Sequence, residues 1–317
     1  MENLSIIGCG TMGHSIALSA AWAGLNVKVS GMNERDIAIA DKGLEDKINV
    51  MIENELISKA EGRKIRERIT LVTSIKEVVE NTTFIIEAIP EVIELKRNLY
   101  QELEQLISQE VIIASNTSGF TPTLLAEDAI HPNRFIVTHF WNPGHLIPLV
   151  EIVKGTKTNE GTINRTMNVI KLMNKKPILI HKEILGFIGN RLQYALFREA
   201  QALLDLGVAT KEDIDAAVTY SIGRRLPVTG PLMTADMGGL DVFSAISNYL
   251  FGDLSSDKTS GSTLTELVEE GKLGHKNGEG FYVWDEENSK KLNEEREETL
   301  IHFLKLDQKR EDKVWSK

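Results

Sequence analysis

The chain has 317 residues, 42% of them hydrophobic, with a formal net charge of -10 at pH 7; this is ordinary globular usage with room for two domains. The acidic balance excludes a protein built to neutralise nucleic-acid phosphates, and no apolar run reaches the ~20 residues of a membrane span. The single cysteine, Cys9, has no partner for an internal disulfide, and Met-Glu-Asn lacks the basic start of a secretory signal, so a cytoplasmic protein is expected.

In chain order, short apolar runs predict strands at 4–7, 27–30, 70–72, 84–86, 111–114, 135–138, 149–153 and 178–180. Helical patterns separate most of them, for example at 93–107 and 163–173. Such alternation predicts an α/β fold, a doubly wound and mostly parallel sheet with helices on both faces. From Phe187 the pattern turns helical, at 190–206, 211–220, 232–250, 264–270 and 289–306, with loops expected at 223–231 and 252–262. The predicted division is therefore an α/β domain over 1–184 and an all-helical domain over 185–317.

The first motif is Ile6-Ile7-Gly8-Cys9-Gly10-Thr11-Met12-Gly13, between the first strand and a helix predicted over 14–23. Gly8 permits a tight turn, Gly10 lets the backbone approach a pyrophosphate, and Gly13 lets the helix pack on the strand. The helix start then offers free N–H groups and partial positive charge to phosphates. In this strand–turn–helix setting the loop reads as a dinucleotide fingerprint, with Cys9 as a small filler residue. A carboxylate for the adenosine ribose is expected at the end of the second strand, but Gly31 stands there. Glu34 and Asp36 are candidate substitutes, whereas Arg35, Ser30 and Asn33 are candidates to receive a 2′-phosphate. The residues thus leave NAD and NADP both open.

Further on, Ser115-Asn116-Thr117-Ser118-Gly119, Thr138-His139-Phe140-Trp141-Asn142-Pro143 and Leu149-Val150-Glu151 each follow or occupy a predicted strand. Ligands of open α/β sheets bind outside the carboxyl ends of strands. Oxidising an alcohol needs a base for its proton, and a histidine oriented by a carboxylate serves. His139 and Glu151 fit, although a histidine at a strand end also serves as a plain structural hydrogen-bonder.

These motifs resemble those of the L-3-hydroxyacyl-CoA dehydrogenases over nearly the whole chain. The resemblance runs from the glycine loop through Glu87-Ala88-Ile89-Pro90-Glu91, Ser115-Asn116-Thr117-Ser118 and His139-Phe140-Trp141-Asn142-Pro143. It continues through Gly186-Phe187-Ile188-Gly189-Asn190-Arg191 and Gly239-Leu240-Asp241 to Gly274-His275-Lys276-Asn277-Gly278. It implies His139 as catalytic base paired with Glu151, Ser118 bonding the substrate oxygen, and Asn190 holding substrate at the domain junction. It further implies NAD held by Gly8, Gly10, Thr11, Met12 and Gly13, with Glu91, Lys96, Asn116, Asn142 and Lys276 approaching it. No metal is implied, and the helical domain is expected to form a homodimer. Apolar faces such as Leu192, Leu196, Ala200 and Leu203, or Val242, Ile246 and Leu250, fit either that interface or packing within one subunit.

The chain also departs from that family. Where a lysine pair usually meets the CoA nucleotide, Glu53 and Glu55 present charges that repel phosphate, with Lys59, Arg63 and Lys64 one or two turns later. Glu183-Ile184-Leu185-Gly186 replaces Asp-x-Pro-Gly, and Gly144-His145-Leu146-Ile147-Pro148 precedes the Glu151 strand. These features look like branches acting on small free acids, such as gulonate and pyridine-carboxylate dehydrogenases. The leading expectation is NAD-dependent oxidation of a short L-3-hydroxyacyl-CoA to its 3-keto form. The alternatives are a small non-CoA acid as substrate and a crystallin-like protein without turnover.

Overall fold

In the computed structural model, which describes residues 2–315, one eight-stranded sheet carries the first part of the chain. Its strands are β1 (Leu4–Ile7), β2 (Val27–Ser30), β3 (Ile69–Val72), β4 (Phe84–Glu87), β5 (Ile112–Ser115), β6 (Phe135–Phe140), β7 (Leu149–Lys154) and β8 (Lys176–Ile180). They lie in the order β3-β2-β1-β4-β5-β6-β7-β8. The α/β expectation holds, and every predicted strand forms with ends shifted by no more than two residues.

Every neighbouring pair is parallel except β6 and β7. The segment 141–148 between those two is shorter than the dozen or so residues that a parallel crossover requires, so the chain turns back on itself. The order reverses between β1 and β4, which opens a crevice at their carboxyl ends. Side chains alternate across the sheet: Ile6, Phe84 and Ile86 join one apolar layer, Ile7 and Ile85 the other. Both β1 and β4 are buried along their whole length, as a sheet covered on both faces demands.

Three helical expectations need correction. The helix expected over 232–250 is broken at Gly239, whose φ of 93° no helix accommodates, giving Pro231–Gly238 and Leu240–Leu250. The loop expected at 223–231 begins with a short helical turn, Gly223–Arg225, continuing from a π segment, Val218–Ile222. The final helix runs from Glu286 to Trp315, longer than the expected 289–306. By compactness the chain forms two units, one of residues 2–188 with 297–315 and one of 189–296. The final helix returns to the first unit because it has something to bury there: Ile301 is 2% exposed, and the Lys305 ammonium donates to the Asn54 carbonyl at 2.7 Å.

No residue of 189–296 is buried. Leu192 is 57% exposed, Met237 76% and Phe251 70%. No helix among the described residues is long and apolar enough to cross a membrane.

Candidate active site

The crevice is floored by the glycine loop. Gly8 follows β1 with φ 101°, and a Cβ there would lie 2.6 Å from the Ala88 carbonyl oxygen, beyond the end of β4. A Cβ on Gly13 would lie 1.7 Å from the Gly8 carbonyl oxygen. Both glycines are thus imposed by contact between backbones. Gly10 differs: a Cβ there meets nothing within 4 Å. It caps the helix Thr11–Trp22, whose first intrahelical bond runs from the His14 N–H to the Gly10 carbonyl at 3.1 Å. The N–H groups of Thr11, Met12 and Gly13 precede that bond, beside open space, which is the cradle a pyrophosphate needs.

The missing ribose carboxylate has a steric cause. A Cβ on Gly31 would sit 2.8 Å from the Cys9 sulfur and 3.0 Å from Ile37 Cδ1. The thiol fills the space a side chain at 31 would need. Cys9 is 6% exposed, donates to the Asp36 carbonyl at 3.4 Å, and is pushed above the usual thiol pKa, first by burial and then by the charge of Asp36. That makes it a packing residue rather than a nucleophile. Asn33 caps the next helix, Glu34–Glu53, by accepting from the Asp36 N–H at 3.0 Å, while Arg35 is exposed.

His139 and Glu151 face each other because the antiparallel register of β6 and β7 pairs them directly. His139 Nδ1 lies 2.8 Å from Glu151 Oε2, with the residues 7% and 0% exposed. The carboxylate also accepts from the Ile188 N–H at 2.9 Å and from the Trp141 indole N–H at 3.3 Å. Rings of Trp141 and Phe187 flank the imidazole, with centroids at 5.4 and 5.5 Å. A carboxylate only accepts, so the neutral ring carries its hydrogen on Nδ1 and presents the Nε2 lone pair. The pair can therefore take up a proton at Nε2 and stabilise the resulting imidazolium.

The Ser118 loop is held by a network that sequence reading missed. Glu87, fully buried at the end of β4, accepts from Lys96 Nζ, the Tyr100 hydroxyl and the Ser115 hydroxyl, each at 2.6 Å. Burial first, then the Glu87 charge, raises the Tyr100 phenol well above its usual pKa. Lys96 also pairs with Glu91 at 3.3 Å. Glu91 in turn accepts from the Ser118 and Gly119 N–H groups at 3.2 Å each, and from the Thr117 hydroxyl. The family resemblance implies that Lys96 approaches the cofactor. It is 1% exposed, and its ammonium, engaged by Glu87 and Glu91, braces the carboxylate that holds the Ser118 loop. The available signal was the carboxylate closing the apolar run Phe84-Ile85-Ile86-Glu87.

Asn116 accepts from the Phe140 N–H at 2.9 Å and so ties the Ser118 loop to the His139 strand. Ser118 and Asn142 are exposed on the same unit. Asn190 and Lys276 belong to the second unit, Asn190 in the first turn of the helix Gly189–Asp205 and Lys276 in a turn closed by the Gly274–Glu279 bridge.

A family model described as 3-hydroxyacyl-CoA dehydrogenase, NAD binding domain, matches residues 3–184, and its C-terminal domain counterpart matches residues 186–284. A 5-formyl-3-hydroxy-2-methylpyridine 4-carboxylate 5-dehydrogenase of Mesorhizobium japonicum is 32% identical over 315 residues, covering 98% of this chain and 100% of its own length. A 3-hydroxybutyryl-CoA dehydrogenase of Clostridioides difficile is 31% identical over 287 residues, 89% of this chain and 99% of its own. The crystal structure of a 5-formyl-3-hydroxy-2-methylpyridine 4-carboxylic acid 5-dehydrogenase, described as an NAD+ dependent dismutase, superposes with a TM-score of 0.89 at 33% identity, covering 96% of this chain and 98% of that one.

Proposed function

The chain belongs to the 3-hydroxyacyl-CoA dehydrogenase family and is an NAD-dependent oxidoreductase, and from that premise we propose that its substrate is a small free acid bearing an alcohol or aldehyde, not a CoA thioester. The observation that carries this reading is the position of the final helix. Its Lys305 bonds the Asn54 carbonyl at 2.7 Å, in the stretch where the family resemblance expects the CoA nucleotide. Glu53 and Glu55 flank that contact, both exposed. The two exposed carboxylates oppose a phosphate-bearing ligand by charge, and the final helix held at Asn54 crowds its approach. The pyridine-carboxylate relative, matched along its whole length, supports the same reading.

In this mechanism bound NAD supplies the hydride acceptor. His139 Nε2 takes the hydroxyl proton as the C–H bond breaks, and Glu151 stabilises the imidazolium through Nδ1. For an aldehyde, the same base takes a proton from the hydrate, which leaves as the carboxylic acid. Ser118 bonds the reacting oxygen. Asn190 and Lys276 are assigned, on the resemblance, to holding substrate and cofactor.

The test compares kcat/KM for free hydroxy acids and aldehyde acids with that for 3-hydroxybutyryl-CoA. The expected outcome is a preference of about a hundredfold or more for a free acid, near 3 kcal/mol of transition-state binding. Efficient acetoacetyl-CoA reduction would overturn the reading, provided that reversing two of Lys59, Arg63 and Lys64 raises its KM with little change in kcat. Those exposed cations on the helix Lys59–Glu67 are what favours the acyl-CoA reading.

The reading includes a homodimer. A helical unit of 108 residues with no buried side chain has not found its core within one copy. A second copy laid on its apolar faces would supply that burial. Sedimentation at micromolar protein is expected to give a dimer; a monomer with full helicity would contradict this.

A further inference from the structure

A second cavity, of about 820 Å³, lies in the first unit away from His139, Glu151, Ser118 and the glycine loop, none of which lines it. Lys175 and His145 form its floor, Lys171 and Lys176 its basic edge, and Trp22 and Leu304 part of its apolar wall. We propose that this cavity is a ligand site for an organic anion with an apolar body, whose charged end docks on Lys175.

Lys175 is 6% exposed. Its ammonium donates to the carbonyls of His145 at 3.3 Å and Ile147 at 3.0 Å, which uses two of its three N–H groups and leaves one for a ligand. Burial lowers the amine to about 7. The titratable groups that face it from other elements are His145, His14 and Lys47. His145 lies 2.9 Å from the Ser15 hydroxyl, and its pKa is lowered to about 3 by burial first, then by the charges of Lys47, Lys175 and His14. Lys47 stands 3.0 Å from His14 Nε2. Among the described residues the lining carries three lysines and one acidic group, Asp307 from the final helix. Keeping a buried amine charged is costly, and a ligand carboxylate offsets that cost. Trp22, Met173, Leu304, Pro148 and Pro177 offer apolar contact to the rest of such a molecule.

The sign of the pH dependence follows. An anion favours the ammonium form and raises its pKa from about 7. Above that pH, binding draws in a proton, and affinity falls as pH rises. The site also touches the dinucleotide helix, since Ser15 bonds both the ring and the backbone N–H of His145. The inference does not rest on the free-acid reading of the active site and survives its failure.

The experiment is calorimetric titration of the intact, NADH-saturated protein with hexanoate, in buffers of differing ionisation enthalpy. Saturable binding is expected, about tenfold or more tighter near pH 6.5 than near pH 8.5, with proton uptake approaching one per ligand at the higher pH. Lys175→Met should abolish binding. Because Lys175 also ties two carbonyls, the exposed rim substitution Lys171→Glu serves as the second variant and should weaken binding about fivefold or more, with the NADH titration unchanged. The proposal is overturned by absence of saturable binding, by binding without proton uptake, or by binding that Lys171→Glu leaves unaltered, which would place hexanoate elsewhere. Inorganic phosphate with the same proton signature, where hexanoate fails, would overturn the apolar-bodied ligand.

Discussion

Replacing His139 with glutamine is expected to lower kcat by about 10²–10⁴-fold, the usual contribution of a positioned base, while the NADH dissociation constant stays within about threefold. Glutamine carries its amide at the position of Nε2 rather than Nδ1, so Glu151 loses the His139 donor but keeps those of Ile188 and Trp141. The amide cannot accept a proton in the working pH range, so the loss falls on the chemical step. Glu151→Gln should also slow turnover, because its amide no longer stabilises a charged ring at Nδ1. Steady-state kinetics and NADH fluorescence titration check both. A His139→Gln enzyme retaining more than half of the wild-type kcat would remove His139 from the base role.

The glycine loop separates folding from binding. Gly10→Val should leave the helix content unchanged and weaken NADH binding by about a hundredfold or more, since the valine enters the open space meant for the pyrophosphate. Gly13→Ala should do the opposite kind of damage. Its methyl would stand 1.7 Å from the Gly8 carbonyl oxygen, and the helix can retreat only by breaking its packing on β1. A cost of about 3 kcal/mol or more is expected, read as a fall in melting temperature or as loss of soluble protein. Circular dichroism and cofactor titration on both variants decide the matter. Tight NADH binding by Gly10→Val, or a Gly13→Ala protein as stable as wild type, would show that the loop does not work this way.

What could be read in the amino acids was whatever depends on near neighbours. The strands announced themselves as short apolar runs because both faces of the sheet are buried, and the loop from Gly8 to Gly13 carries its chemistry within six residues. His139 and Glu151 were nameable because twelve residues of strand, turn and strand span them. The tertiary structure decided the rest. Only the fold shows that Cys9 and Gly31 compete for one volume, so the absent carboxylate is a consequence of packing. Only the fold brings Glu87, Lys96 and Tyr100 into one buried network, turning an ordinary helix lysine into a support for the Ser118 loop. The final helix is rich in charge, yet Ile301 and Lys305 hold it on the first unit, beside Asn54. Burial and hydrogen bonding between distant residues depend on where the whole chain goes, and a local pattern holds no record of that.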